Sequence, residues 1–180
     1  RWIMAKQRKK LLIVDGYNVL RSGSRYRNAP DEDYTDDTFN AAREMLINDV
    51  VNYAGGDYKA VIVFDGAKNA FSNGEAETVG GVRIVFSPAG QADKVIEKLA
   101  HDARERQVET LVVTSDATIQ DTTFGFGVDR MSADGFSREV GMYYEEARLD
   151  ETPKVAQKNT VASRIDPVTL AKLKALRDGA

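Results

Sequence analysis

Three short apolar runs, each followed by an aspartate, constrain the fold of this chain more than any other feature of its sequence. Runs of this length that are rich in valine and isoleucine and bounded by polar residues predict buried β-strands. The runs and their acids are Leu11–Val14 with Asp15, Ala60–Phe64 with Asp65, and Thr110–Val113 with Asp116.

Segments of helical periodicity alternate with these strands. Asp36–Ala54 carries apolar residues at every third or fourth position and stops at a glycine pair, and Gln91–Gln107 repeats the period. Further strands are predicted at Val82–Phe86 and Val128–Met131, the second followed by Ser132 as a helix N-cap. This alternation is typical of an α/β domain with a mostly parallel central sheet, here of about five strands.

The 180 residues suffice for one domain with a sizeable core, which we predict over residues 11–148. Residues 1–10 are expected to form an N-terminal extension, whose first three residues, before Met4, are interpreted as an expression remnant. Residues 149–180 are expected to form a tail, with a polar loop over 150–163 and a docking helix that starts at Asp166 and Pro167.

The composition excludes several classes of protein. Cysteine is absent and no apolar run approaches the ~20 residues of a membrane helix, so disulfides, thiolate metal sites and spanning segments are not expected. The basic stretch Lys6–Lys10 is followed by too few apolar residues for a secretory leader, which favours a cytoplasmic protein.

The three strand-end acids are expected to lie close together. Parallel strands all point the same way, so Asp15, Asp65 and Asp116 meet at one edge of the sheet, where open α/β folds place their ligand crevice. Asp93 joins them from the first turn of the following helix. Any one of these residues alone is more simply a turn former, but four of them around one cleft favour a metal or phosphate site.

Clustered carboxylates repel one another unless a cation balances them. A ligand set of oxygens alone, with neither cysteine nor a histidine pair, suits Mg²⁺ or Mn²⁺ and argues against zinc. Such ions activate water and neutralise charge on a phosphodiester, as in metal-dependent nucleases. The sequence leaves open whether one ion or two would bind.

Other polar residues near the strand ends allow two interpretations each. Asn18 can bind phosphate or a metal-bound water, or it can cap the following turn, and Ser115 can bind phosphate or orient Asp116. The single histidine, His101, lies between Lys98 and Arg104 on the polar side of its helix and is expected to face solvent.

The net charge of −3 gives no general attraction to nucleic acid, so any such contact must be local. Arg21, Arg25 and Arg27 stand with Tyr26 in a segment that we predict to be a loop, and the tail from Lys154 to Arg177 is also basic. A charge cluster is usually only a solvated face, and contact with a polyanion is the alternative.

Four blocks in order make the sequence resemble the NYN domain superfamily of PIN-like ribonucleases, and within it the bacterial YacP-like family of ribosome-associated endoribonucleases. The blocks are "LIVDGYNVLRS", "VIVFDGAKN", "ADKVIEKLA" and "LVVTSDATIQ", and the closing "RIDPVTLAKLKALRDG" is similar to the family's tail helix. The resemblance implies a PIN-like three-layer α/β/α sandwich and metal-dependent cleavage of RNA.

The same resemblance implies roles for individual residues. Asp15, Asp93 and Asp116 would hold Mg²⁺ or Mn²⁺, Asp65 would support them, and Asn18 would position water or phosphate. Many PIN domains carry a further acid where this chain has Thr118, which puts a second metal site in doubt. Arg130 and Ser132 resemble a block at the family's RNA-facing edge. Apart from the resemblance, Arg21, Arg25, Arg27, Lys68 and Ser115 are expected to contact RNA phosphates near the cleft, with Tyr17 or Tyr26 as a stacking face.

The resulting hypothesis is a metal-dependent endoribonuclease that cleaves single-stranded RNA by metal-activated water, with mRNA at the ribosome as the implied setting and no small-molecule cofactor. The alternative is a non-catalytic module that binds RNA or the ribosome with the same fold. A haloacid dehalogenase-type phosphatase needs a second acid at the position of Tyr17, and a dinucleotide-binding domain needs glycines that are missing after strand one.

Overall fold

The computed structural model describes residues 8–27, 36–66, 76–119 and 121–157, with the side chains of 36, 37, 122 and 150–157 left out. The chain divides into two compact units, residues 1–140 and 141–180. The described elements are β1 (Lys10–Asp15), α1 (Gly16–Ser22), α2 (Asp36–Ala54), β2 (Tyr58–Asp65), β3 (Glu77–Val79), β4 (Val82–Ser87), α3 (Ala92–Glu105), β5 (Thr110–Val113), a 3-10 turn (Asp121–Thr123), β6 (Val128–Met131) and α4 (Ala133–Gln157).

The strands form one sheet in the order β3-β4-β2-β1-β5-β6. Every pairing is parallel except the hairpin between β3 and β4. β1 lies at the centre of the parallel part, between β2 and β5. The predicted α/β fold with a mostly parallel sheet is therefore confirmed.

Both faces of the central strands are covered, because their side chains alternate between two apolar layers. On one face Ile13, Val63 and Val112 pack with Ile96 and Ala100 of α3. On the other face α1 packs against β2 so closely that a Cβ on Gly16 would lie 2.4 Å from the Phe64 ring. Only glycine permits that approach, and it places the residues after Asp15 directly over the sheet.

The predicted boundaries agree with the structure at three elements, α2, β5 and β6. They differ where contacts with distant parts of the chain determine the local structure. β3 is a sixth strand, in a segment for which we predicted no strand. Its three residues are exposed, and the turn through Gly80 and Gly81, with φ of 56° and 85°, pairs it with β4.

The predicted loop after strand one is also wrong in its first part, because Arg21 lies in the last turn of helix α1. The predicted polar loop from residue 150 is wrong as far as Gln157, where α4 ends. The stretch contains good helix formers after Pro153, which itself disfavours the interior of a helix. Residues 158–163 and the predicted docking helix lie outside the described residues.

Within the part of the chain that the structure describes, no helix has the length and apolar character needed to cross a membrane.

Candidate metal centre

Three aspartates meet at the carboxyl end of the sheet. Asp15 is the last residue of β1, Asp93 is the second residue of α3, and Asp116 follows β5 in the next loop. One carboxylate oxygen from each lies within 4.8 Å of the other two. The parallel register explains the convergence, since β1 and β5 pair side by side up to Val14 and Val113.

A cavity of about 300 Å³ opens over these acids. Asn18 and Arg21 of α1 line it together with the three aspartates, and Asp65 and Gly90 lie on the side of β2. The walls are mainly polar, which suits a charged ligand better than an apolar one.

Asp15 is the buried member of the group, with 5% of its surface exposed. Burial raises the pKa of Asp15 to about 6, and the negative charges of Asp93 and Asp116 act in the same direction. The Thr114 hydroxyl donates a hydrogen bond to Asp15 at 2.9 Å and, with the charge of Arg21, partly offsets this rise in pKa. The site therefore holds a carboxylate whose charge is poorly balanced by the protein itself.

The Thr118 hydroxyl lies between Asp116 and Asp93, and its single proton can be donated to either carboxylate but not to both at once. Its Oγ1 lies 2.6 Å from Asp93 Oδ2 and 2.7 Å from Asp116 Oδ1. Partial burial alone would raise the pKa of Asp116, but hydrogen bonds from the Thr118 hydroxyl and N–H and the charge of Arg130 lower it below its ordinary value. Asp116 is thus held ionised in the orientation that faces Asp93.

Asn18 is oriented by the loop after β5. Its Oδ1 accepts a hydrogen bond of 2.7 Å from the Ser115 backbone N–H. Because the carbonyl oxygen already has this partner, the amide NH₂ group is the part of Asn18 that is suited to bind a phosphate oxygen. Both ligands predicted for Asn18, a phosphate and a metal-bound water, offer oxygens that this NH₂ group can donate to.

Asp65 lines the cavity but is not one of the three clustered acids. Its Oδ1 accepts a 3.0 Å hydrogen bond from the Gly90 N–H, in the loop that leads into α3. Gly90 has a φ of 71°, a conformation that glycine adopts without strain. Asp65 therefore fixes the loop that places Asp93.

Two of the arginines that we expected to contact RNA lie near the acids. Arg21 lines the cavity, and its charge lowers the pKa of both Asp15 and Asp116. The guanidinium of Arg130 stacks over the Phe124 ring at 4.2 Å, and its charge also lowers the pKa of Asp116.

Arg25 has a different environment from the one that we predicted. Its Nε donates a 2.8 Å hydrogen bond to the buried Asp49, and the Tyr26 hydroxyl donates to the same carboxylate at 2.7 Å. Tyr26 is buried there, as is Tyr17 between the rings of Phe39 and Phe64. Neither tyrosine offers a stacking face, and the structure gives Arg25 an internal partner instead of a place in the cavity.

Among the described residues, Arg27, Ser115 and Ser132 do not line the cavity. Ser115 Oγ accepts a hydrogen bond from the Ala133 N–H, and Ser132 Oγ accepts one from the Gly135 N–H, so both hydroxyls cap the start of α4. Arg27 is exposed, and Lys68 lies outside the described residues. His101 faces solvent, as we predicted.

Thr114 and Thr118 support the acids, a role that we did not predict from the sequence. Thr114 donates to Asp15 and accepts from the Asp116 N–H at 3.0 Å, so it links two of the acids. Both threonines stand two positions from Asp116 in the sequence, one on each side. This spacing could have indicated a supporting role, but only the folded geometry shows what their hydroxyls contact.

The three carboxylates fit a hard divalent cation. Ligands on opposite sides of Mg²⁺ lie about 4.2 Å apart, since each Mg–O distance is about 2.1 Å. Oxygens on adjacent positions of such an ion lie only about 3 Å apart, so the three carboxylates, whose oxygens lie within 4.8 Å of one another, would have to rotate closer together to share one ion. Oxygen donors alone, without nitrogen or sulfur, are the ligands that Mg²⁺ and Mn²⁺ prefer.

Comparison with known proteins gives consistent results. The model of the YacP-like NYN domain family matches residues 12–178. The uncharacterized protein YacP of Bacillus subtilis is 32% identical over 131 residues, which cover 72% of this chain and 74% of that protein.

Two crystal structures of Rae1 (YacP) from Bacillus subtilis are similar in fold. One superposes with a TM-score of 0.64 at 26% identity and covers 94% of this chain and 95% of that one. The other, a variant with a tryptophan replaced by leucine, gives a TM-score of 0.60 at 28% identity and covers 93% and 99%.

Proposed function

Because the chain belongs to the family of YacP-like NYN domains, we propose that it is an endoribonuclease that depends on Mg²⁺ or Mn²⁺. Membership in this family indicates a nuclease-type function related to RNA. Beyond this family-level function, we propose a specific reaction, a metal and the residues that bind the metal and the substrate.

One observation carries the proposal: three carboxylates with oxygens within 4.8 Å of one another, at the carboxyl edge of a parallel sheet. When bound there, a divalent cation supplies activation of water and neutralisation of charge on a phosphodiester. Asp15, Asp93 and Asp116 hold the cation. Asp65 fixes the loop before α3, and the Thr118 hydroxyl lies within hydrogen-bond distance of both Asp93 and Asp116.

The rest of the cavity suits a phosphate of the substrate. The Asn18 amide and the Arg21 guanidinium line the same cavity as the acids, and both are hydrogen-bond donors. The substrate that we propose is single-stranded RNA, in particular mRNA in a ribosome-associated, cytoplasmic setting. In the cleavage that we propose, water is the nucleophile and the P–O3′ bond breaks, so the products carry a 5′-phosphate and a 3′-hydroxyl, and the RNA 2′-hydroxyl is not used.

The test is cleavage of a labelled single-stranded RNA with Mn²⁺, with Mg²⁺ and with EDTA, with and without translating ribosomes. Asp93→Asn and Asp116→Asn are compared with Asp102→Asn, a matched loss of charge at an exposed position of α3. We expect metal-dependent cleavage in the wild type and in Asp102→Asn, and its loss in the two site variants.

Two outcomes would contradict the proposal. A 2′,3′-cyclic phosphate on the product would mean that the RNA 2′-hydroxyl is the nucleophile. Absence of cleavage under every condition, with RNA or ribosome binding intact in the site variants, would favour the non-catalytic binding module.

A further inference from the structure

A second cleft lies at the opposite end of β1 from the acids. It has a volume of about 420 Å³, and five of the seven residues that line it are cations: Arg8, Lys9, Lys10, Lys59 and Arg106. Lys10 starts β1 and Asp15 ends it, so the cleft and the acids are separated by about 17 Å along the strand.

The charge of this cleft contrasts with that of the whole chain. The sequence carries a net charge of −3, yet none of the described residues that line the cleft is acidic. Glu109 lies 3.3 Å from the Lys10 ammonium and balances that one charge, but both side chains remain at least half exposed. Asp57 lines an adjoining pocket together with Arg8, Lys9 and Lys10, so the five cations of the cleft outnumber the two nearby carboxylates and leave it positive.

Backbone contacts hold the three walls of the cleft together. The Arg8 guanidinium donates a 2.8 Å hydrogen bond to the carbonyl oxygen of Arg106, after helix α3. The Lys10 N–H donates to the carbonyl of Asp57, and the Leu11 N–H donates to the carbonyl of Glu109. The cations thus project from a fixed frame at the amino ends of three parallel strands.

We propose that this cleft binds the phosphate backbone of RNA, at a position away from the one that is cut. Closely spaced cations on a fixed frame neutralise successive phosphates without reading the base sequence. The choice of RNA among polyanions rests on the proposed function. Three clustered carboxylates repel RNA before a metal binds, and a positive cleft elsewhere on the domain offsets that repulsion.

The test is RNA binding in EDTA, where no metal-dependent cleavage occurs, measured by fluorescence anisotropy over a range of salt concentrations. The cleft variant combines Lys9→Gln, Lys59→Gln and Arg106→Gln. The control combines Arg83→Gln, Lys98→Gln and Arg138→Gln, which removes the same charge from exposed positions outside the cleft. The probes are an unstructured RNA longer than the ~17 Å strand, and phosphatidylserine vesicles.

We expect the cleft variant to bind the RNA about tenfold more weakly at low salt, with a salt slope smaller by about 2, since each phosphate contact on a single strand contributes about 0.7. The control should bind like the wild type. Equal RNA binding by the cleft variant and the wild type, or an equal loss in the control, would overturn the proposal. Binding of the wild type to vesicles but not to RNA would overturn it as well.

Parallel cleavage assays with Mn²⁺ separate this proposal from the nuclease proposal. If the cleft variant loses RNA affinity while the wild type never cleaves, the cleft proposal stands and the nuclease proposal fails. If cleavage depends on Asp116 but RNA affinity does not depend on the cleft, the reverse holds.

Discussion

Two buried aspartates in this molecule have opposite surroundings. Asp49 on α2 is 1% exposed, and it accepts hydrogen bonds from the Arg25 guanidinium at 2.8 Å and the Tyr26 hydroxyl at 2.7 Å. Asp15 on β1 is 5% exposed, and it accepts a hydrogen bond from Thr114 but lies beside two more carboxylates. The charge of Asp49 is balanced within the fold, and that of Asp15 is not.

The difference separates a structural acid from a functional one. A buried carboxylate with a cation and a hydroxyl donor ties its neighbours together, here the segment after α1 to helix α2. A buried carboxylate beside other carboxylates costs free energy of folding until a cation from outside balances the group. The protein keeps this unfavourable arrangement at the place where we propose that metal binds, which agrees with the general conflict between stability and function.

The largest effect on stability is expected from Asp49→Asn. The substitution removes the charge that balances Arg25 and weakens the acceptor of the Tyr26 hydroxyl. Breaking one partner of a buried pair costs about 3–5 kcal/mol, and we expect about 3 kcal/mol because the Arg25 side chain is 27% exposed. Urea unfolding measures the change, with the exposed Asp102→Asn as control. A loss no larger than that of the control would contradict the structural role of Asp49.

Asp15→Asn is expected to raise the free energy of unfolding, whereas Asp49→Asn lowers it. In EDTA at pH 7 this variant should be more stable than the wild type by about 3 kcal/mol, since the substitution removes a carboxylate whose pKa burial raises from 3.8 to about 6. Urea unfolding of both proteins measures the difference. A variant that is less stable than the wild type at pH 7 would show that the charge of Asp15 is balanced after all.

The pH dependence of the stability of the wild type and Asp15→Asn tests the raised pKa of Asp15 a second time. The pKa of Asp15 is about 3.8 in the unfolded chain and about 6 in the fold, so between these values the folded state holds a proton that the unfolded state has lost. The free energy of unfolding of the wild type therefore falls, relative to Asp15→Asn, as pH rises from about 4 to about 6. Below about pH 4 the difference between the two proteins should vanish.

The smallest effect on stability is expected from Thr118→Val. Thr118 is exposed, so the loss of its hydroxyl should change the free energy of unfolding by about 0.5 kcal/mol. Its effect on the site should be larger, because residues that orient metal ligands contribute about tenfold or more to metal affinity. Calorimetric titration with Mn²⁺ measures this loss, and Thr118→Ser, which keeps the hydroxyl, should restore the affinity. Wild-type affinity in Thr118→Val would contradict the positioning role.

Much of the fold could be predicted because it depends on local patterns. The apolar runs that form β1, β2 and β5 and the periodic segment of α2 decide their own structure, and parallel topology then brings the acids of the strand ends together. Helix α1 was missed because it has only seven residues and no side-chain hydrogen bond at its N-cap. β3 was missed because its short, exposed strand depends on the hairpin with β4.

The candidate site was predictable in its acids and less so in its supporting contacts. The Arg25–Asp49 pair joins residues 24 positions apart, and no local pattern indicates that the loop arginine turns inward. In the sequence, Thr118 is notable only because many PIN domains carry an acid at this position. Only the structure shows its hydroxyl between Asp93 and Asp116.

Whether the charge of Asp15 is kept for a cation is tested by a Mn²⁺ titration of the wild type and Asp15→Asn. Calorimetry measures the binding, and the unfolding temperature is recorded at each Mn²⁺ concentration. If the unbalanced charge of Asp15 is kept for a cation, the wild type binds Mn²⁺ and unfolds at a higher temperature as the ion is added, since a ligand that binds the native state stabilises it. Asp15→Asn should start from the higher stability in EDTA and gain little from the ion. Equal Mn²⁺ binding by both proteins, or no binding by the wild type, would contradict the account.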